Sequence, residues 1–280
     1  MRQGSADDSL TTLARRHPGR RAFITGAASG LGRALALRLG AAGWRLGLND
    51  LDAAGLDAVA AAVLAAGGAA PRLFVFDVAD PGAFAAAARD GADLLFNNAG
   101  IGCGGPVLDT PLADWREVLD VNLMGAVHGI RAFVPGMVAQ GSGHVVNVAS
   151  AAAFHGLPRF GAYSASKAAL AALSEALRAE LAGSGVDVTL KMSTFYRDAA
   201  IGRHTRGGAE VRRQAQALVD RAPISADEAA LRLLRSMARR RFHVVFPLQA
   251  RLIWAAKRHA PEWYVRLVPP VFAWLERRLG

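Results

Sequence analysis

Short apolar runs alternate along the chain with longer segments of helical periodicity. The runs are continuous rather than alternating, which is typical of strands buried on both faces of a parallel sheet. They are Arg21–Thr25, Trp44–Asn49, Arg72–Asp77, Asp93–Asn97, His144–Ala149 and Val186–Met192. The helical patterns between them are Leu31–Ala42, Ala53–Ala66, a stretch after Pro111 and Ala162–Ala182. We therefore predict an α/β fold with a doubly wound, Rossmann-type parallel sheet.

The ends of the chain differ from this regular middle. We expect residues 1–20 to be a flexible N-terminal segment and residues 21–247 to be the Rossmann-type domain. Residues 193–222 are rich in Gly and Arg, and predict a mobile, partly helical substrate lid. Ser225 is placed to cap a helix that ends near Arg239, and Phe242–Phe246 reads as a last strand. Residues 248–280 predict a basic, Trp-containing helical tail.

The composition indicates a globular protein, with 52% hydrophobic and 20% charged residues among 280. One cysteine, Cys103, cannot form an internal disulfide, and the polar, basic start of the chain lacks the apolar core of a signal peptide. No apolar run approaches the roughly 20 residues that span a bilayer. These features favour a cytoplasmic protein.

The net charge of +10 is unevenly distributed, since nine basic and only two acidic residues lie from Arg239 onward. The rest of the chain is close to neutral, which argues against nucleic acid as a partner. The tail also carries Trp254, Trp263, Val268, Phe272 and Trp274. Three interpretations stay open: packing on the domain or a neighbouring subunit, capping a pocket for a bulky apolar substrate, or peripheral contact with an anionic membrane.

A glycine-rich turn follows the first strand and leads directly into a helix, in the sequence Thr25-Gly26-Ala27-Ala28-Ser29-Gly30-Leu31-Gly32. Gly26 allows a tight turn, Gly30 lets the backbone approach a pyrophosphate, and Gly32 lets the helix pack closely on the strand. The free N–H groups at the helix start, next to Ser29 and Leu31, attract the anion. The segment therefore predicts a dinucleotide site.

Asp50 ends the second strand, 18 residues after Gly32. A carboxylate there accepts hydrogen bonds from a ribose 2′-OH and repels a 2′-phosphate. No Arg or Lys lies between Gly26 and Gly32, or between Asp50 and Arg72, so NAD is favoured over NADP. Asp52 is the alternative ribose acceptor, and Arg33 would weaken the preference for NAD.

Tyr163 and Lys167 are spaced four residues apart on a predicted helix, so they share one face. A phenol has a reference pKa of about 10 and is a poor base near neutral pH. A nearby ammonium favours the phenolate, so the pair suits proton exchange with a substrate oxygen. Ser150, at the carboxyl end of a strand, is placed to hydrogen-bond the same oxygen.

These motifs, together with Asn97-Asn98-Ala99-Gly100, Asn122 and the 13-residue interval from Ser150 to Tyr163, resemble the short-chain dehydrogenase/reductase family. The resemblance covers about Arg21 to Met192. It implies an NAD(P)-dependent oxidoreductase that needs no metal. It also implies a homodimer or homotetramer acting on a small-molecule substrate.

The resemblance implies a role for each matched residue. Tyr163 would be the general acid/base, and Lys167 would lower its pKa and hold the nicotinamide ribose. Ser150 would position the substrate oxygen, and Asn122 would hold a water that links Lys167 to solvent. On the cofactor side, Asn98, Ala99 and Gly100 would line the adenosine half, and Asp77 and Val78 would contact the adenine.

The chain departs from the family after the sixth strand. Where the family carries Pro-Gly and then Thr, which contact the nicotinamide carboxamide, this sequence has Ser193-Thr194-Phe195-Tyr196-Arg197-Asp198. Thr194 is the candidate replacement for the lost side-chain contact. His155, five residues after Ser150, is expected to border the substrate, with a surface histidine as the alternative.

The function expected from all of this is reversible hydride transfer between NAD and a secondary alcohol or ketone, with an apolar substrate. Two alternatives remain. One is an NADP-linked carbonyl or 3-oxoacyl reductase. The other is a non-catalytic, nucleotide-sensing protein on the same fold.

Overall fold

Seven parallel strands form the central sheet of the computed structural model, which describes residues 4–202, 204–267 and 270. The sheet has the order β3-β2-β1-β4-β6-β7-β9. Its strands are β1 (Arg21–Thr25), β2 (Arg45–Asp50), β3 (Arg72–Val75), β4 (Leu94–Asn97), β6 (Gly143–Val148), β7 (Val186–Ser193) and β9 (His243–Phe246). The short strands β5 (Gly102–Cys103) and β8 (Thr205–Arg206) pair separately. The predicted doubly wound sheet is confirmed.

Helices cover both faces of the sheet. They are α1 (Gly4–Arg16), α2 (Gly30–Ala41), α3 (Ala53–Ala65), α4 (Phe84–Ala88), α5 (Leu112–Leu119), α6 (Gly125–Ala139), α7 (Ala152–His155), α8 (Gly161–Glu180), α9 (Ala209–Asp220), α10 (Ala226–Ala238) and α11 (Leu248–His259). A π-helical turn, Asp120–Met124, joins α5 to α6. Ser225 caps α10 as expected, because its Oγ accepts a hydrogen bond of 3.1 Å from the Glu228 N–H.

The order of the strands reverses between β1 and β4, where the chain leaves one half of the sheet for the other. At such a point the connections on either side diverge and leave a crevice beyond the carboxyl ends of the strands. Two apolar clusters fill the space between the sheet and the helices on its two faces, one containing Ile24 and Phe96 and the other Phe23 and Leu95. The core therefore fixes the strand ends that border this crevice.

The prediction of a flexible N-terminal segment is wrong for residues 4–16, which form α1. Leu13 is fully buried in the main core cluster, and Leu10 and Ala14 pack against it. His17 is also buried, and its Nδ1 lies 3.2 Å from the Ser142 hydroxyl. The apolar positions 10, 13 and 14 share one helix face, a short signal within a polar sequence.

The expected lid between residues 193 and 222 contains more regular structure than its composition indicates. Helix α9 buries Val211, Ala215 and Val219, and β8 pairs with β5 beside it. Arg206 of β8 forms an ion pair with Glu117 of α5. These contacts attach the segment to the part of the chain that follows β4.

Part of the basic tail packs on the domain. Helix α11 contacts β9 and α7, Ala250 is fully buried, and the ring of Trp254 lies 5.4 Å from that of His243 between centroids. The tail residues Val268, Phe272 and Trp274 lie outside the described residues. Within the described ranges, no helix combines the length and apolar character needed to cross a bilayer.

Because α1 completes the core, we expect Leu13→Ala to lower the free energy of unfolding by about 2–4 kcal/mol, the range for a fully buried leucine. The control is Arg15→Ala on the exposed face of α1, which we expect to stay within about 0.5 kcal/mol. Denaturant unfolding followed by circular dichroism measures both. Equal stability of the two variants would mean that α1 is not part of the core.

Candidate active site

A single cleft of about 560 Å³ runs along the carboxyl ends of β1, β2, β4, β6 and β7. It is lined by most of the residues that sequence analysis selected. These are Gly26, Ser29, Gly30, Leu31, Asp50, Asp77, Val78, Asn98, Ala99, Gly100, Ser150, His155, Tyr163, Lys167 and Thr194. Gly32 and Asn122 lie behind its wall. The fold thus brings the predicted cofactor and catalytic residues to one place.

The glycine-rich turn has the backbone geometry that an anion site needs. Gly26 and Gly30 have φ values of +65° and +52°, which favour glycine. A Cβ at residue 32 would lie 2.1 Å from the Gly26 carbonyl oxygen, so α2 approaches the turn as closely as backbone allows. Ser29 is the N-cap of α2, and its hydroxyl makes no cap hydrogen bond. The N–H groups at the start of α2 therefore fit a pyrophosphate.

Asn98 supports this turn from the neighbouring strand. Its Nδ2 donates to the carbonyl oxygens of Thr25 and Gly26 at 2.9 and 3.0 Å. The Thr25 hydroxyl in turn accepts the backbone N–H groups of Asn98 and Ala99. The side chain of Asn98 therefore shapes the phosphate turn, while Ala99 and Gly100 line the cleft.

Asp50 and Asp52 both line the cleft, but their carboxylates accept hydrogen bonds from different backbone N–H groups. Asp52 is the N-cap of α3 and accepts the Gly55 N–H at 2.9 Å. Asp50 accepts the N–H groups of Ala28 and Asp52 at 2.9 and 3.2 Å, which fixes it next to the glycine-rich turn. Each Asp50 oxygen keeps a lone pair that can accept a further donor.

Few cations lie in this cleft. Among the described residues that line it, the only Lys and Arg side chains are Lys167, Lys191 and Arg206. Arg33 instead borders an adjoining hollow together with Ser29 and Gly30.

Asp77 and Val78 follow β3 at the same edge of the sheet. The Asp77 carboxylate accepts the Ala79 N–H at 2.9 Å and so stabilises the turn. Val78 is 6% exposed, and its carbonyl oxygen lies 2.9 Å from the Nδ1 of His128. Both residues form a wall of the cleft on the side of Asp50.

Ser150, Tyr163 and Lys167 meet at the other end of the cleft. Ser150 follows β6, and its side chain lies within interaction range of that of Tyr163 on α8. Lys167, one helical turn further, is 4% exposed, and its Nζ donates to the Val148 carbonyl at 3.1 Å. That Nζ lies 5.9 Å from the centre of the Tyr163 ring. The three side chains converge as the sequence predicts.

The pKa of Tyr163 is raised, whereas the resemblance to the family implied that Lys167 would lower it. Burial raises the pKa of Tyr163 to about 12, and the interaction with Ser150 opposes this rise only in part. Burial also lowers the pKa of Lys167 to about 8. In the protein alone, the loss of hydration outweighs any stabilisation of the phenolate by Lys167. Tyr163 is thus protonated at neutral pH.

Asn122 lies in the π-helical turn between α5 and α6. Its Nδ2 donates to the Ile101 carbonyl at 2.9 Å and the Ser166 hydroxyl at 3.0 Å, and its Oδ1 accepts the Ile101 N–H at 2.9 Å. The side chain thereby joins the loop after β4 to α8, which carries Tyr163. The water relay implied for Asn122 stays a prediction.

His155 borders the cleft at the end of α7. Its Nδ1 contacts the hydroxyl of Tyr264, and that hydroxyl also lies 3.3 Å from the His155 carbonyl oxygen. Burial lowers the pKa of His155, with a smaller effect from Lys257. The tail therefore reaches the loop beside the catalytic end, a contact that no local pattern indicates.

Sequence analysis missed Lys191, which lines the same end of the cleft. It is 1% exposed, and its Nζ donates to the Ser193 hydroxyl at 2.7 Å. The signal was a lysine inside a strand, between the apolar residues Leu190 and Met192.

Comparisons with known proteins identify the family to which this chain belongs. Residues 20–199 match the sequence model of the family described as short chain dehydrogenase. A 2-dehydro-3-deoxy-L-rhamnonate dehydrogenase (NAD(+)) from Sphingomonas is 40% identical over 63% of this chain and 72% of its own. The probable oxidoreductase EphD of Mycobacterium tuberculosis is 44% identical over 59% of this chain, but over only 29% of its own length.

Solved structures repeat the fold. A short-chain dehydrogenase/reductase from Burkholderia phymatum in complex with NAD has a TM-score of 0.79 and 33% identity, covering 86% of this chain and 94% of the other. A short-chain dehydrogenase from Sphingobium yanoikuyae in complex with NADPH has a TM-score of 0.74 and 27% identity, covering 88% and 95%. Structures similar to this chain therefore hold NAD or NADPH.

Because a Cβ at residue 32 would collide with the Gly26 carbonyl, we expect Gly32→Ala to weaken binding of NADH at least 100-fold. The control is Gly136→Ala in α6, where an added Cβ meets no atom within 4 Å. Fluorescence titration with NADH measures both. Unchanged affinity in Gly32→Ala would show that the turn does not hold the cofactor.

Proposed function

The chain belongs to the short-chain dehydrogenase family, and on this premise we propose that it is an NAD-dependent oxidoreductase that interconverts a secondary alcohol and a ketone. The observation that carries the proposal is the convergence of Ser150, Tyr163 and Lys167 at one end of a cleft. The other end of this cleft has the glycine-rich turn and Asp50. The glycine-rich turn and Asp50 would hold the dinucleotide, and Ser150, Tyr163 and Lys167 would carry the proton chemistry.

The bound cofactor supplies or accepts the hydride, and the side chains handle the proton. Because burial raises the pKa of Tyr163 to about 12, its hydroxyl is a proton donor at neutral pH and can protonate the carbonyl oxygen of a ketone. Ser150, whose side chain faces Tyr163, would hold that same oxygen. Lys167, anchored on Val148, adds positive charge next to the tyrosine that must lose its proton.

The proposed substrate is apolar. Several side chains that line the cleft cannot form hydrogen bonds, namely Ile101, Leu157, Phe160, Phe195 and Leu218. Such a lining binds hydrocarbon by the hydrophobic effect and leaves orientation to a few polar groups. Ser150 and Tyr163 would then fix the single oxygen on which the reaction takes place.

NAD is the proposed cofactor, with NADP as the alternative. Asp50 is held beside the glycine-rich turn, and the Lys and Arg side chains that line the described cleft do not include one next to it. A 2′-phosphate there would face a carboxylate without a compensating cation. The Sphingomonas relative is named as an NAD(+) enzyme, which supports this choice.

We expect Tyr163→Phe to lower turnover of a responsive alcohol at least 1,000-fold, because the ring stays and the proton donor is lost. The Kd for NADH should change less than threefold, which separates loss of chemistry from loss of binding. A panel of short aliphatic, long-chain and sterol alcohols with NAD, followed by absorbance of the reduced cofactor, identifies the substrate first. NADH binding without turnover of any alcohol or ketone would favour the non-catalytic alternative.

We expect Asp50→Asn to lower the ratio of the Kd for NADPH to the Kd for NADH at least tenfold, because the charge that repels the 2′-phosphate is removed. The matched control is Asp52→Asn, two residues further on at the N-cap of α3, which should leave the ratio unchanged. Fluorescence titration measures all four affinities. If the ratio changes only in Asp52→Asn, Asp52 and not Asp50 is the ribose acceptor. If the unchanged protein binds NADPH more tightly than NADH, the choice of NAD is wrong.

A further inference from the structure

Lys191 is a buried cation without a buried anion. It lies on β7 with 1% of its surface exposed, and its Nζ donates to the Ser193 hydroxyl at 2.7 Å. Its other neighbours are the rings of Tyr196, 4.5 Å from Nζ to the centre, and Phe246, at 5.4 Å. An ammonium has three donors, so one hydroxyl and two ring faces leave it incompletely satisfied. Within the described ranges, no carboxylate forms an ion pair with it.

The position of Lys191 relates it to the catalytic end of the cleft. In the sheet register it lies opposite Val148, whose carbonyl oxygen holds Lys167. The charge of Lys167 is close enough to lower the pKa of Lys191. Tyr163 is likewise close enough to raise the pKa of Tyr196. Lys191 therefore shares the Tyr163 end of the cleft rather than the Asp50 end.

Within the described ranges no carboxylate contacts Lys191, and Glu228 of α10 is ion-paired with the neighbouring Arg232. The charged and titratable groups that face it are Lys167 from α8, Tyr196 from the loop after β7, and Arg232 of α10 beside the Phe246 ring. Burial, and then Lys167, lower the pKa of Lys191 to about 7. The tyrosine pKa is raised, so that group is neutral over the physiological range. A positive charge brought into this end of the cleft is therefore repelled whenever Lys191 is protonated.

We propose that Lys191 is a residue that discriminates between the two redox states of the cofactor, weakening binding of NAD⁺ relative to NADH. The inference rests on the proposed function, which locates the nicotinamide at the Tyr163 end. The oxidised ring carries a positive charge and the reduced ring carries none. In a buried site the repulsion between two cations is much stronger than in water, whereas the remainder of the dinucleotide is the same in both states.

The test compares the affinities of the full-length chain for NAD⁺, NADH and ADP-ribose, which lacks the ring. It is made by calorimetry at pH 6, where Lys191 is charged. We expect Lys191→Met to lower the ratio of the Kd for NAD⁺ to that for NADH about tenfold. Lys191→Arg, which keeps the charge, should retain the original ratio. The Kd for ADP-ribose should be unchanged in both variants.

A second measurement needs no substitution. In the unchanged protein the same ratio should fall between pH 6 and pH 9, because Lys191 is charged below its folded-state pKa and neutral above it. Lys167 also titrates in this range. The part of the pH dependence that belongs to Lys191 is therefore the part that Lys191→Met removes. Lys191→Gln is the second neutral variant if thermal unfolding shows that the methionine variant does not fold.

Three results would contradict the proposal. The ratio could be the same in the neutral variants as in the unchanged protein. All three ligands could weaken equally, which would give Lys191 a purely structural role. The ratio could also show no pH dependence that the neutral variants remove. Failure of the unchanged protein to bind any of the three ligands would instead overturn the proposed function, and this inference with it.

Discussion

Burial of both faces of a parallel sheet is the constraint on which the rest of this structure depends. Parallel strands force each connection to return across a face, so all strands end at the same edge. The glycine-rich turn, Asn98, Ser150 and Lys191 come from four strands that are distant in sequence, yet they line one cleft for this reason. The shared edge brings the functional residues together, and the individual side chains then determine which part of a ligand each end of the cleft can bind.

The parts of the fold that depend on local patterns were predictable. Continuous apolar runs identified the strands, and the spacing of Tyr163 and Lys167 placed them on one helix face. Helix α1 was missed because its apolar stripe is only Leu10, Leu13 and Ala14 within a polar sequence. A stripe of this size is not a strong signal until a core exists to receive it.

The parts of the site that depend on distant contacts were not predictable. Asn98 lines the cleft, and its side chain also supports the turn at Gly26, which its place in the sequence does not indicate. The contact between His155 and Tyr264 joins positions 109 residues apart. The pKa of Tyr163 is raised because burial outweighs the effect of Lys167, and burial of a particular hydroxyl cannot be read from spacing.

The replacement of Pro-Gly by Ser193-Thr194 is best understood together with Lys191. A buried ammonium needs at least one acceptor, and the Ser193 hydroxyl supplies it at 2.7 Å, whereas a proline at that position has no side-chain acceptor. Tyr196 then covers the cation with its ring. The three residues form one unit, in which the serine and the tyrosine make a buried charge tolerable. This departure from the family pattern therefore supplies the acceptor for Lys191 while leaving Ser150, Tyr163 and Lys167 in place.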